Sequence, residues 1–454
     1  MGTFDLANIQ GNVLLAYTHP LFQCVFLRID DAGAGRRWLG ELTDEVTTAQ
    51  IWDRDQKPPS TVNVMLTYQG LRALGLAGGA LEDFAGEFKA GMASRAATLG
   101  DTGESAPERW EGGLGTADIH AMVAVYALDR DALAERLRRL DDLIARTPGL
   151  TVVSRQDGAR LSTFREHFGF ADGYGQPSIE GNDRPNSPNL PGQGTAERGG
   201  RWRPLKPGEF ILGYPDEEGV LPPAPKPDVL GRDGTYVVYR KLRQDVGAFR
   251  RLLKEAGRHY PGGEERLAAK LIGRWRDGTP VEISPDRPDP EIALDPRRNN
   301  DFRYAGDADG LRCPVGAHIR RANPRDTFGF DDKLINRHRI IRRGLPYGEP
   351  LPEGAEDDGA DRGVVFMCLN ASISRQFEFI QAQWFNDGNP FGLGDDKDII
   401  LGNHDGTGKM TVEGRPPYFV HPLPRLVTVR GGEYFFLPGI AALRYIASGG
   451  AATG

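Results

Sequence analysis

The sequence predicts an α+β protein built from two ferredoxin-like (split βαβ) domains with antiparallel sheets, and three observations carry that expectation. Hydrophobic patterns early in the chain run strand, helix, strand, strand, helix, strand. After a Pro- and Gly-rich stretch at residues 182–207 a similar order begins again. At 454 residues the chain also exceeds what one hydrophobic core usually supports.

Alternating or continuous apolar runs mark strands at residues 23–29, 61–68, 119–128 and 150–156. Helical spacing falls between them at 35–50 and 129–146, the second carrying Leu133, Leu137, Leu140 and Ile144 on one face. This order places both helices on one side of an antiparallel sheet. The second copy reads as a strand at 234–242, a helix at 245–256, a strand at 363–369 and a helix at 373–386. Insertions at 274–300 and 349–361 lengthen it, and long loops in a compact unit more often carry function than nothing. The expected division is 1–180, ending in a loop that carries Asp172, and 181–454.

Composition narrows the function. A net charge of −7 with 26% charged residues speaks against a nucleic-acid partner. Cys24, Cys313 and Cys368 form no CxxC pair, which argues against a disulfide framework or a thiolate zinc site and favours a reducing compartment. No run reaches the roughly 18 apolar residues of a membrane span, and the first residues lack a secretory pattern, so the expectation is a cytoplasmic chain without membrane contact. Monomer and homodimer both stay open. There is no HExxH, P-loop or GxSxG segment, so hydrolase and phosphoryl-transfer chemistry have no local support.

Several segments carry chemistry. His318 lies in CPVGAHIRRANPR, bounded by Pro314 and by Asn323-Pro324. A histidine on a short rigid helix can ligate haem iron while Arg320, Arg321 and Arg325 pair with propionates; a solvated basic turn is the plainer reading. Cys313 is a rival ligand as a thiolate, although a Cys before Pro is more often a small buried residue. Asp172 is the acid in HFGFADGYGQP, where glycines let the backbone approach a ligand; its plainer role is an Asx-turn. In RHRIIRRGLPYG one arginine could sit beside a reaction centre, with Arg339, Arg342 and Arg343 as candidates. Ile373, Phe377, Ile380 and Trp384 fall on one helical face, first of all a core stripe, with Trp384 a candidate radical carrier.

Together, NIQGNVL (8–14), GFADG (169–173), GAHIRRANPR (316–325), RIIRRGLPYG (339–348) and SRQFEFIQ (374–381) resemble the dye-decolorizing peroxidases, a haem family with two ferredoxin-like domains. The resemblance runs from the first residues into the last quarter. It implies one haem b per chain, held mainly by the second domain, with His318 as the iron ligand. Asp172 and Arg342 would activate hydrogen peroxide, and dyes, phenols or other one-electron donors would be oxidised through an oxoferryl intermediate. It further implies that Asp398 supports the proximal histidine, with Ile399 standing where proline is expected and Asp395 or Asp396 as alternatives, and that Phe366 and Leu369 line the cofactor. A haem carrier or iron-handling protein of the same fold is the alternative reading.

Overall fold

A computed structural model describes residues 4–53, 56–182, 189–197, 200–329 and 332–450. The first half supplies strands β1 (Leu21–Ile29), β2 (Ser60–Leu66), β3 (Ala121–Ala127) and β4 (Leu150–Ala159). A short pair, β5 (Thr195–Ala196) and β6 (Trp202–Arg203), follows. The second half supplies β7 (Thr235–Gln244), β8 (Ile341–Arg342), β9 (Leu345–Tyr347), β10 (Gly363–Asn370), the hairpin β11 (Gly408–Val412) and β12 (Tyr418–Leu423), and β13 (Val427–Leu437).

Each half orders its strands as a split βαβ unit should, but they share one sheet: β4-β1-β3-β2 continues into β13-β7-β10-β8, with β9 also paired to β10. All the pairings within it are antiparallel. The halves meet where Phe436 of β13 pairs with Leu66 of β2. Gln10, in the first of the sequence motifs, stitches this seam: its Nε2 donates to Val64 O (2.8 Å) and Pro438 O (2.9 Å), and its Oε1 accepts from Val64 N (3.0 Å). Gly11 is required beside it, because a Cβ there would lie 2.2 Å from the Tyr17 hydroxyl and 2.7 Å from Thr48 O.

The sheet curls until β4 at one end lies against β9 at the other. Strand periodicity then sends alternate side chains inward and outward. Phe22, Phe26, Met122, Tyr239, Met367 and Phe435 belong to the inner cluster. Outward residues of the first half, such as Val25, Val64 and Val123, pack under helices Ala32–Thr43, Arg130–Ala145 and Ile440–Ala447. Asp31 and Asp129 start the first two of these helices by accepting from Ala34 N and Ala132 N, as good N-caps do. Outward residues of the second half, including Arg240, Leu242, Val364 and Phe366, instead floor a cavity.

The expected strands are found within a few residues. Three strand regions of the second half are not among the expected ones: β8 with β9, the hairpin of β11 and β12, and β13. β8 and β9 are two and three residues long in an Arg- and Pro-rich stretch. In β13 the register shifts between Val429 and Gly431, so its alternation breaks in the middle. Ser374–Glu378 and Ile380–Phe385 form π-helix, in place of the continuous α-helix expected there. With i→i+5 bonding each turn takes more than four residues, so Phe377, Gln381 and Phe385 share the cavity wall. All four residues of the expected core stripe are buried, Ile373 and Phe377 in one cluster and Ile380 and Trp384 in another, with Trp384 packed on His338 and Phe379 and 3% exposed. It is not a surface aromatic.

Candidate functional site

The cavity, about 330 Å³, lies outside the rolled sheet against the second half. Ile272, Phe366, Phe377, Ile380, Phe385 and Leu401 give it an apolar body, while charged groups converge from loops and from β7. Leu99 to Asp101 and Ser105 bring the first half into the wall as well. An apolar body with a few placed polar groups is the usual construction of a cofactor site.

His318 opens the short helix His318–Ala322. Pro314 lies before that helix and accepts from Ala317 N (3.0 Å), forming the turn that aims His318 at the cavity. His318 Nδ1 donates to Asp398 Oδ2 (3.0 Å) and Oδ1 (3.1 Å), while Nε2 has no hydrogen bond and stays accessible. Asp398 is fully buried, its Oδ1 also accepting from Ile400 N (3.0 Å) and Leu401 N (2.7 Å). Burial disfavours the imidazolium, but the Asp398 charge and hydrogen bond outweigh it and move His318 upward from its ordinary value. Asp395 is exposed, and Asp396 is spent on Lys409 and on Thr411 N (2.9 Å) and Oγ1 (2.7 Å), which leaves Asp398 as the acid facing His318. Ile399, in the place expected for proline, is buried in the cluster of Phe249 and Leu423.

Asp172 and Arg342 line the same cavity, with NH1 of Arg342 3.0 Å from Asp172 Oδ1 and 3.3 Å from Oδ2. Gly173, at φ +100°, turns its N–H onto Oδ1 (2.6 Å), a backbone shape that favours glycine. Burial opposes ionisation of Asp172, but Arg342 and the Gly173 amide prevail and hold its carboxyl below the ordinary range. The Asp172 side chain keeps 62% of its area free, and that area opens into the cavity.

The three candidate arginines separate cleanly. Arg343 turns back to Asn12 O (2.7 Å) and Val13 O (3.0 Å). Arg339 reaches the cavity wall with a single hydrogen bond, to Gly175 O at 3.3 Å, and burial with nearby Arg325 pushes it down to about 9. Only Arg342 pairs with Asp172. Gln176, which the sequence did not single out, clamps its backbone: Oε1 accepts from Arg342 N (3.0 Å) and Nε2 donates to Arg342 O (3.1 Å). The loop carrying the acid and the strand carrying the arginine are thereby locked together.

Arg325 lines the cavity, stacked 3.8 Å from the Phe302 ring centre. Arg320 does not. It is fully buried, donating to Cys313 O (2.6 Å) and Asp307 O (2.9 Å), so the expected propionate partner is a structural post, and Arg274 and Arg339 stand in the wall instead. Leu369 is a second correction. It lies three residues from Phe366 on β10, and the twofold strand period sends it into the sheet interior; Val364 is the cavity neighbour of Phe366. Cys313 is buried outside the cavity, with its thiol pushed up to about 12, so it offers no rival thiolate.

These residues fit haem: an imidazole with its outer nitrogen accessible, apolar walls, and wall guanidinium groups of Arg274, Arg325 and Arg339 that have no carboxylate within salt-bridge distance among the described residues. Buried cations left unmatched call for an anionic ligand, which propionates supply.

Comparison with known proteins agrees with the geometry. Residues 8–160 match the DyP dimeric alpha+beta barrel domain and residues 224–391 match the Dyp-type peroxidase C-terminal domain. The chain is 32% identical to the multifunctional dye peroxidase DyP2 of Amycolatopsis sp. over 97% of its own length and 95% of that protein. It is 30% identical to a dye-decolorizing peroxidase of Mycena epipterygia over 98% of its length and 87% of that protein. The solved structure of an ancestral D-type dye decolorizing peroxidase superposes with a TM-score of 0.83 at 31% identity, covering 98% of this chain and 99% of that one. A dye-decolorizing peroxidase in complex with 2,6-dimethoxyphenol gives the same TM-score at 29% identity, with 98% and 100% covered.

Proposed function

The chain belongs to the dye-decolorizing peroxidase family, and on that premise we propose that it is a haem b peroxidase that reduces hydrogen peroxide and oxidises dyes and phenols. The observation that carries this reading is the convergence on one cavity of His318, with Nδ1 locked by Asp398, and the Asp172–Arg342 pair. His318 would ligate the iron, Arg274, Arg325 and Arg339 would be available to pair with the propionates, and Phe366 would contribute to the apolar wall of the haem site. Haem, when bound, supplies an iron centre that takes up the oxidising equivalents of peroxide and releases them one electron at a time.

The protein's own groups do the proton work. Asp172 Oδ2, the oxygen not engaged by Gly173, takes the proton from one peroxide oxygen and hands it to the other, which leaves as water. The free N–H groups of Arg342 face the oxygen that gains negative charge as the O–O bond breaks. Asp398 keeps the His318 proton on Nδ1, so the lone pair stays on Nε2 and is more electron-donating. Among the described residues no helix is long and apolar enough to cross a membrane. The compartment proposed is the cytoplasm, on three buried cysteines that form no disulfide with one another.

The test is the absorption spectrum of the haem-loaded protein before and within milliseconds of one equivalent of peroxide, beside Asp172→Asn and Arg342→Leu. A histidine-ligated ferric spectrum that changes rapidly, and slowly in at least one variant, supports the assignment. Slow bleaching alike in all three proteins would overturn it in favour of a haem carrier.

A further inference from the structure

The cavity wall holds more positive charge than haem can match. Six arginines line it, of which Arg240 is paired with Asp101 and Arg342 with Asp172. The remaining Arg274, Arg325, Arg339 and Arg425 have no carboxylate within 4 Å among the described residues. The third acid of the wall, Glu166, is bound by the Phe168 and Phe170 amides and by Gln244. Haem b brings two carboxylates, so cationic groups are left over after it binds.

Of the four, Arg274, Arg325 and Arg339 are each about 7% exposed, whereas Arg425 is half-buried and so meets both the cavity and the outside. Its NH1 donates to Ser105 Oγ (2.9 Å), which also accepts from Val429 N (3.0 Å). A backbone-anchored hydroxyl from the first half therefore fixes a guanidinium from the second at the rim of the cavity. Apolar wall residues Leu99, Val427 and Val429 line the cavity alongside it, and the acid from the same loop, Asp101, is consumed by Arg240.

We propose that Arg425 forms an anion-recognising subsite at the cavity rim, so that the preferred electron donors are aromatic anions, carboxylates or sulfonates, with the ring against the apolar wall and the acid group on the guanidinium. The inference rests on the peroxidase reading for calling the ligand a donor, but its geometry does not. Planar guanidinium groups hold such acids by paired hydrogen bonds.

The experiment is calorimetric titration of the haem-loaded protein, without peroxide, with 4-hydroxy-3-methoxybenzoate and with its amide. The carboxylate is expected to bind about tenfold more tightly than the amide at low salt, the preference shrinking as salt rises. Arg425→Gln should bring the ratio close to one, and Arg425→Lys should retain part of it with a steeper salt dependence. No preference in the native protein, or an unchanged ratio in Arg425→Gln, overturns the subsite. A protein that prefers the carboxylate in this way but fails to react with peroxide would sink the peroxidase reading and leave the subsite standing.

Discussion

Replacing Arg342 by Leu should move the acid limb of peroxide reduction to higher pH. The base is Asp172, and it works only as the carboxylate, so the rate falls as pH drops through its pKa. In the native protein that pKa sits below the ordinary carboxylate value because Arg342, with the Gly173 amide, outweighs burial. An opposite charge at 3.0 Å favours the ionised carboxylate. With that charge gone and burial unchanged, the limb in Arg342→Leu should therefore move to higher pH. The assay is stopped-flow measurement of the second-order rate of peroxide reaction between about pH 3 and 7. Loss of Arg342 also lowers the plateau, because the donor to the departing oxygen is gone, but plateau height and limb position are read separately. A limb that stays in place, or moves down, would refute the idea that this arginine holds the base ionised.

Gln176→Leu should shift the same limb in the same direction by less, and cost about 1 kcal/mol in urea unfolding, because Arg342 N loses its side-chain acceptor while Arg342 O keeps the Arg343 donor. Asp398→Asn should raise the ferric/ferrous potential of the haem-loaded protein by tens of millivolts at roughly unchanged haem content, since the carboxylate makes His318 more electron-donating; an unmoved potential in spectroelectrochemistry would count against the pairing. Leu369→Ala should destabilise the fold by about 2–4 kcal/mol with little change in the haem spectrum, and Phe366→Ala should alter the spectrum, because the two side chains face opposite sides of β10. Cys313→Ser should leave the ferric spectrum as it is, a result that thiolate ligation could not give.

Much of this was legible in the sequence because it lies in local pattern. Apolar spacing at 35–50 and 129–146 marks two helices that the structure bounds at 32–43 and 130–145, and the motif residues His318, Asp172 and Arg342 do meet at one cavity. What escaped depends on the third dimension. Arg320 and Arg325 read alike in GAHIRRANPR, and only packing decides that one is buried under Asp307 and Cys313 while the other faces the cavity. Leu369 was legible in principle: once residues 363–369 are a strand, a residue three positions from Phe366 cannot share its face. Gln176 and Arg425 carry no local signal, since each acts on a partner more than a hundred residues away.

The stitch made by Gln10 has a consequence for how the chain is born. Its two acceptors lie at Val64 and Pro438, so the amide that joins the halves is made 428 residues before one of its partners. The leading half can form β1 to β4 while the ribosome is still at work, but its second edge at β2 has no neighbour until β13 emerges. Until then an unpaired strand edge is presented to solvent or to a chaperone. Chains truncated before residue 427 should therefore expose that edge and associate through it, and the finished protein should close it in its last folding step.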